Sequence, residues 1–146
     1  MLQAAGVDDV DPADRLRDGS AMDAWRRVIA AQGGDPDVAL PTARETHVVT
    51  APRSGVLTGL DAMAVGLAAW RLGAGRARKE DPVQAGAGVE MHAKPGDTVT
   101  EGQQLLTLHT DDPERFERAL TALDGGVVVA DGASERVPLV IDRVAG

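Results

Sequence analysis

The stretch GVLTGLDAMAVGLAAWRLG, residues 55–73, carries the switch of pattern that decides the fold. Its first six residues, Gly55 to Leu60, read as a strand. Asp61 then stands where a helix N-cap belongs, because its carboxylate can accept one of the N–H groups that the first helical turn leaves unpaired. Met63, Val65, Leu67, Trp70 and Leu72, with Ala62, Ala64, Ala68 and Ala69 between them, make this helix apolar nearly all round. That is the pattern of a buried helix. Gly73 is its natural stop.

Upstream, THVVTA (46–51) is rich in β-branched residues and predicts another strand, with residues 52–55 as the turn between the two. Downstream, a basic glycine-rich loop, GAGRARKEDP (73–82), leads to strand-like segments at 83–92 and 104–109. These are joined through the turn Lys94-Pro95-Gly96-Asp97. Asp112 and Pro113 are set to open a further helix, since the N–H that proline lacks has no partner in a first turn. Phe116, Ala119, Leu120 and Leu123 supply its buried stripe, and Gly125-Gly126 ends it. VVVA (127–130) and VPLVID (137–142) are the last strand candidates. Strands and helices mix without a regular βαβ alternation, which predicts an α+β fold with a mainly antiparallel sheet.

The first forty residues have a different texture. Asp11 and Pro12 suit the start of a short helix over 9–17. Ser20 is placed to cap a longer one, with Asp23 at its third position and Met22, Trp25, Val28 and Ile29 on one face. Gly33-Gly34-Asp35-Pro36 stops it, and residues 35–46 form a linker. The expected division is therefore 1–40 and 41–146.

Composition narrows the function. The chain of 146 residues holds no cysteine, which excludes disulfides, thiolate zinc sites and cysteine nucleophiles. Its net charge is −8 and its aromatic content 2%, a poor match to nucleic acid, which calls for a basic surface and stacking rings. The start, MLQAAGVDDVDPAD, has no basic segment of a secretory signal, and no apolar run is long enough for a membrane span. A cytoplasmic protein without membrane partners is expected. His47, His92 and His109 form no metal-binding spacing, and neither Gly73-Ala74-Gly75 nor Gly86-Ala87-Gly88 completes a dinucleotide fingerprint. No GxSxG surrounds Ser20, Ser54 or Ser134. No metal, cofactor or catalytic residue is expected. One cluster is suited to an anion: Arg76, Arg78 and Lys79, three cations within four residues on a glycine-led loop.

Several segments together resemble one family. The helix end AQGGDP (31–36), then SGVLTGLDAMAVGLAAWRLGAGRARKEDPV (54–83) with LGAGR at 72–76, then GAGVEMHAKPGDTVTEGQQLLTLHT (86–110), are similar in order and register to the carboxy-terminal portion of pyrimidine-nucleoside (thymidine) phosphorylases. The resemblance implies an α/β-hammerhead domain over 41–146, preceded by a helical remnant of the family's central α/β domain. It also implies a reaction in which phosphate attacks the anomeric carbon of thymidine, releasing thymine and 2-deoxyribose-1-phosphate. The family binds phosphate and pyrimidine in parts whose motifs are missing from this sequence, and it dimerises through its helical domain. The fragment alone is therefore expected to be inactive, with no substrate-binding residue carried over. MLQAAGV (1–7) resembles a run inside the family's α/β domain, so Met1 is expected to be an internal position of a longer protein. The basic loop with Arg76, Arg78 and Lys79 is the expected lid. An alternative resemblance is that of KPGDTVTEGQQLLTLHT (94–110) to part of a biotinyl/lipoyl-like carrier module. No acceptor lysine follows Lys94.

Overall fold

The computed structural model describes residues 6–7, 9–76, 78–132, 140–142 and 144. The chain divides into two compact units, Met1–Leu40 and Pro41–Gly146.

The first unit holds α1 (Pro12–Arg17) and α2 (Ser20–Ala31). Asp11 caps α1, accepting the Ala13 N–H at 2.8 Å, and Pro12 opens it as expected. The start of α2 differs from the expectation that Ser20 caps it. Ser20 is the first helical residue, and the cap position falls to Gly19 in the left-handed region, φ 82°. Glycine enters that region without a Cβ penalty. The Asp18 carboxylate, two residues back, then takes the Ser20 N–H at 2.8 Å, as an Asx turn does. The Ser20 hydroxyl beside the carboxylate, together with this N–H, holds Asp18 below the usual carboxylate range. Met22, Trp25 and Val28 line one face of α2 and remain exposed.

The second unit runs β1 (Glu45–Thr50), β2 (Gly55–Leu60), α3 (Ala62–Ala69) with a π-helical turn at Trp70–Ala74, β3 (Gly88–Met91), β4 (Thr98–Val99), β5 (Gln104–Thr110), α4 (Arg115–Leu123) and β6 (Val127–Ala130). The α+β class is as expected, but the antiparallel strands form two sheets of three, β1-β5-β3 and β4-β2-β6. The turn at 52–55 is where the chain changes sheet. Buried Ala51 still bonds the segment before β5, its N–H to the Gln103 carbonyl at 2.8 Å, whereas Gly55 already pairs with Val99 of β4.

Leu105, Leu106 and Leu108 of β5 are all fully or nearly fully buried. Successive side chains on a strand point to opposite faces, so β5 is covered on both sides. Leu57 of β2, Val99 of β4, Leu72 of the π turn, and Ala119 and Leu123 of α4 complete the core. Each fully buried leucine contributes about 1.5–3 kcal/mol of transfer free energy.

Asp61 caps α3 as its sequence predicts, accepting the Ala64 N–H at 2.9 Å, and Gly73 ends the helical run with φ 116°. The expected burial of this helix is corrected. Ala68 and Leu72 are fully covered, but Met63 is 80% exposed, and Leu67 and Trp70 are also exposed. α3 packs mainly against α4, with lesser contact to β3, and these neighbours cover only part of its circumference. Two other boundaries also shift. The strand expected at 83–92 is confined to Gly88–Met91, because Gln84 is engaged elsewhere and Ala87 closes a turn on the Gln84 carbonyl. α4 begins at Arg115, after a turn at Asp112 that bonds the Glu114 N–H through its carboxylate and the Arg115 N–H through its carbonyl. Of the strand expected at 137–142, residues 137–139 lie outside the described residues and 140–142 carry no strand. Most of the segment 1–7 also lies outside them.

Candidate functional site

The basic loop is tied at its ends. The Gln84 N–H donates to the Gly73 carbonyl at 2.9 Å, closing the excursion between them. The Gln84 side chain then reaches β5: its Oε1 accepts the Asp111 N–H at 2.7 Å and stands 3.2 Å from the Thr110 hydroxyl. That hydroxyl, on a fully buried residue, donates to the Leu72 carbonyl at 2.7 Å. Gly73 is required here twice. Its φ is positive, and a Cβ on it would lie 2.9 Å from Gln84 Cδ.

Within the loop the three cations do different things. Arg76 Nη1 donates to the Lys79 carbonyl at 3.1 Å, and the Arg78 N–H donates to Asp81 Oδ2 at 2.9 Å. These bonds brace the loop across its own turn. Arg76, Arg78 and Lys79 are all exposed.

The structure brings Arg76 together with residues that the sequence did not single out. Arg71, Arg76, Arg115 and Arg118 line one cleft of about 290 Å³, with the Trp70 ring and Asp81 among its other walls. Arg115 and Arg118 are three apart on α4 and so share a face. A reciprocal clasp sets the distance between α4 and the π turn. Arg71 Nη1 donates to the Arg118 carbonyl at 2.7 Å, and Arg115 Nη1 approaches the Arg71 carbonyl at 3.5 Å. Asp112 holds Arg115 further, with Oδ2 3.2 Å from Nε. Gly75 is packed so tightly under Trp70 that a Cβ would meet Cδ1 at 2.6 Å. The i,i+3 spacing of Arg115 and Arg118 was visible beforehand. Nothing in the sequence pointed from that helix face to Arg71 or Arg76.

The other candidate groups make contacts within the fold. His92 and His109 do lie on or beside neighbouring strands, but at opposite ends of the ladder: Gly88 faces His109, whereas the His92 N–H bonds Leu105. Four residues of strand separate them, roughly 13 Å. His92 Nε2 bonds the Thr107 hydroxyl at 2.7 Å, His109 Nε2 faces Glu90 at 3.6 Å, and the His47 ring packs against Phe116 at 5.5 Å. The Ser54 hydroxyl accepts the Glu101 N–H at 2.9 Å. Gly86 abuts the backbone of residues 42–43, the close approach that explains that glycine-rich stretch. Lys94 sits in the tight turn before β4, its N–H held by Asp97 Oδ2 at 2.8 Å. Among the described residues no group of three His, Asp or Glu is arranged to hold a metal, and no helix is long and apolar enough to cross a membrane.

The chain is similar over 144 residues to a thymidine phosphorylase of Mycobacterium tuberculosis, with 51% identity covering 99% of this chain and 34% of that protein. An AMP phosphorylase of Natronomonas pharaonis is 36% identical over 140 residues, 92% of this chain and 27% of its own. A pyrimidine-nucleoside phosphorylase of Staphylococcus haemolyticus is 33% identical over 136 residues, 90% of this chain and 31% of its own. The chain thus spans about a third of the length of the curated relatives it matches. The family described as Pyrimidine nucleoside phosphorylase C-terminal domain matches residues 56–130, from β2 through β6, and the chain belongs to that family.

Proposed function

We propose that this chain is the carboxy-terminal part of a thymidine phosphorylase and works only together with a catalytic portion. In the whole enzyme, phosphate attacks the anomeric carbon of thymidine, thymine departs, and 2-deoxyribose-1-phosphate is formed. The observation that carries this reading is the similarity to the mycobacterial thymidine phosphorylase along nearly the whole chain. It is markedly higher than the similarity to relatives named for AMP or for pyrimidine nucleosides at large. The residues that bind phosphate and pyrimidine in the site are assigned to the catalytic portion, and this chain is assigned only a basic loop that reaches toward the phosphate side. Two such portions would form the dimer. The units 1–40 and 41–146 would then be a remnant of the central domain and the hammerhead domain.

The loop between Gly73 and Gln84 is the part proposed to face the substrate cleft. Its tied ends and braced turn support a compact flap that moves as one body, and Arg76, Arg78 and Lys79 would offer cations to the phosphate side as the domains close.

A chimera tests both statements: this chain in place of the matching third of the mycobacterial enzyme. The expected result is phosphate-dependent thymine release by the chimera and none by the purified 146-residue chain. A folded but inactive chimera overturns the phosphorylase reading. Thymine release by the chain alone overturns its dependence on a catalytic portion. Replacing Arg76, Arg78 and Lys79 with alanine in an active chimera should raise KM for phosphate, and unchanged kcat and KM would sink the flap.

A further inference from the structure

We infer that the cleft between the π turn and α4 is a binding site for a phosphoryl dianion, carried by a small phosphate ester or by free phosphate. Three observations lead there. First, four arginines from three separate segments, Arg71, Arg76, Arg115 and Arg118, line one cleft in a chain whose net charge is −8. Like charges gathered in this way repel, so the fold spends hydrogen bonds to hold them. Arg71 is anchored on the Arg118 carbonyl, Arg115 on Asp112 and the Arg71 carbonyl, and Arg76 on the Lys79 carbonyl.

Second, the charge balance selects the ligand. Against the four arginines stand two carboxylates: Asp81 in the cleft wall and Asp112 on Arg115. Two positive charges remain, which matches a phosphate monoester near neutral pH, about −1.5 to −2. A carboxylate would leave the cleft under-neutralised, and a triphosphate would overfill it.

Third, the donors are of the fitting kind. Guanidinium is planar and presents paired N–H groups that match phosphoryl oxygens. Each anchored arginine uses only part of its five N–H donors in the bonds above, so donors remain for a ligand. The Trp70 ring forms a flat wall beside them, with Gly75 packed against its indole. A ring or sugar attached to the phosphoryl group would lie there. The site lies wholly within the Pro41–Gly146 unit and does not rest on the phosphorylase reading.

The test is a titration of the full 146-residue chain at fixed ionic strength, following the arginine Nε–H resonances by NMR. The probes are inorganic phosphate, ribose 5-phosphate and sodium acetate. The expected result is saturable shifts confined to Arg71, Arg76, Arg115 and Arg118 with a phosphoryl probe, and none with acetate. Ribose 5-phosphate binding more tightly than phosphate assigns the site to esters; equal affinity assigns it to free phosphate. Arg118→Gln should weaken binding about tenfold, the loss of one charge-assisted contact. Lys94→Gln removes the same charge from an exposed turn and should leave the affinity unchanged. Absence of saturable shifts up to tens of millimolar of either phosphoryl probe overturns the inference. So does an equal loss of affinity in Lys94→Gln, which would mark a response to overall charge alone.

Discussion

Thr110→Val tests the joint that fixes the basic loop to the core. Thr110 is 0% exposed, and its hydroxyl donates to the Leu72 carbonyl at 2.7 Å and receives the Asp112 N–H at 3.2 Å. Valine keeps the branched shape, so little cavity is made, but both partners lose their bond. Leaving a buried polar group unpaired costs about 1–3 kcal/mol. The Asp112 contact is long and only part-buried, so most of the effect comes from the Leu72 carbonyl, and the expected loss is about 2–3 kcal/mol. For a domain of this size that lowers Tm by roughly 8–12 °C, at about 4 °C per kcal/mol. Urea denaturation followed by circular dichroism, with thermal melts in parallel, gives the number. Thr110→Ser separates hydroxyl from shape: it keeps the bonds and should lose only about 1 kcal/mol for the buried methyl. A Thr110→Val loss below about 0.5 kcal/mol, or a Ser variant less stable than the Val variant, refutes the hydroxyl's role as the anchor.

Three further outcomes follow from particular contacts. Gly86→Ala places a Cβ 2.5 Å from the Ala43 nitrogen and 2.7 Å from the Thr42 carbonyl carbon, backbone that no rotamer change relieves. It should cost about 2–3 kcal/mol in urea titration. Leu57→Ala empties a fully buried position of β2 and should cost about 2–5 kcal/mol, read the same way. Asp18 is held below the usual carboxylate range in the folded helix pair, so its contribution is present above that range and lost as pH falls through its lowered value. An NMR titration should find its midpoint below the ordinary aspartate range, and Ser20→Ala should bring it back toward that range.

Local signals carried well from sequence to structure. The cap at Asp61, the stop at Gly73, the strands at 46–50, 55–60 and 127–130, and the stripe of α4 all depend on neighbours within a few residues. The misplaced cap of α2 is also local: Gly19 takes the cap position with a positive φ and the Asp18 carboxylate accepts the Ser20 N–H, so Ser20 enters as the first helical residue. What failed was inference from pattern to surroundings. The apolar circumference of α3 was read as burial, yet how many sides of a helix are covered depends on how many elements pack on it, and α4 with one edge of the strands covers only part.

The candidate site divides along the same line. Its loop was legible because three cations and two glycines lie side by side, and the family was legible because its segments recur in order. That the antiparallel strands split into two sheets, and that Arg71, Arg76, Arg115 and Arg118 line one cleft, were decided only in three dimensions. The contacts that bring π turn and α4 together span more than forty residues of sequence, as between Arg71 and Arg118. Spacing along a chain predicts which side chains share a face of one element. Which faces then meet is set by how the core leucines pack, and that is a property of the whole fold.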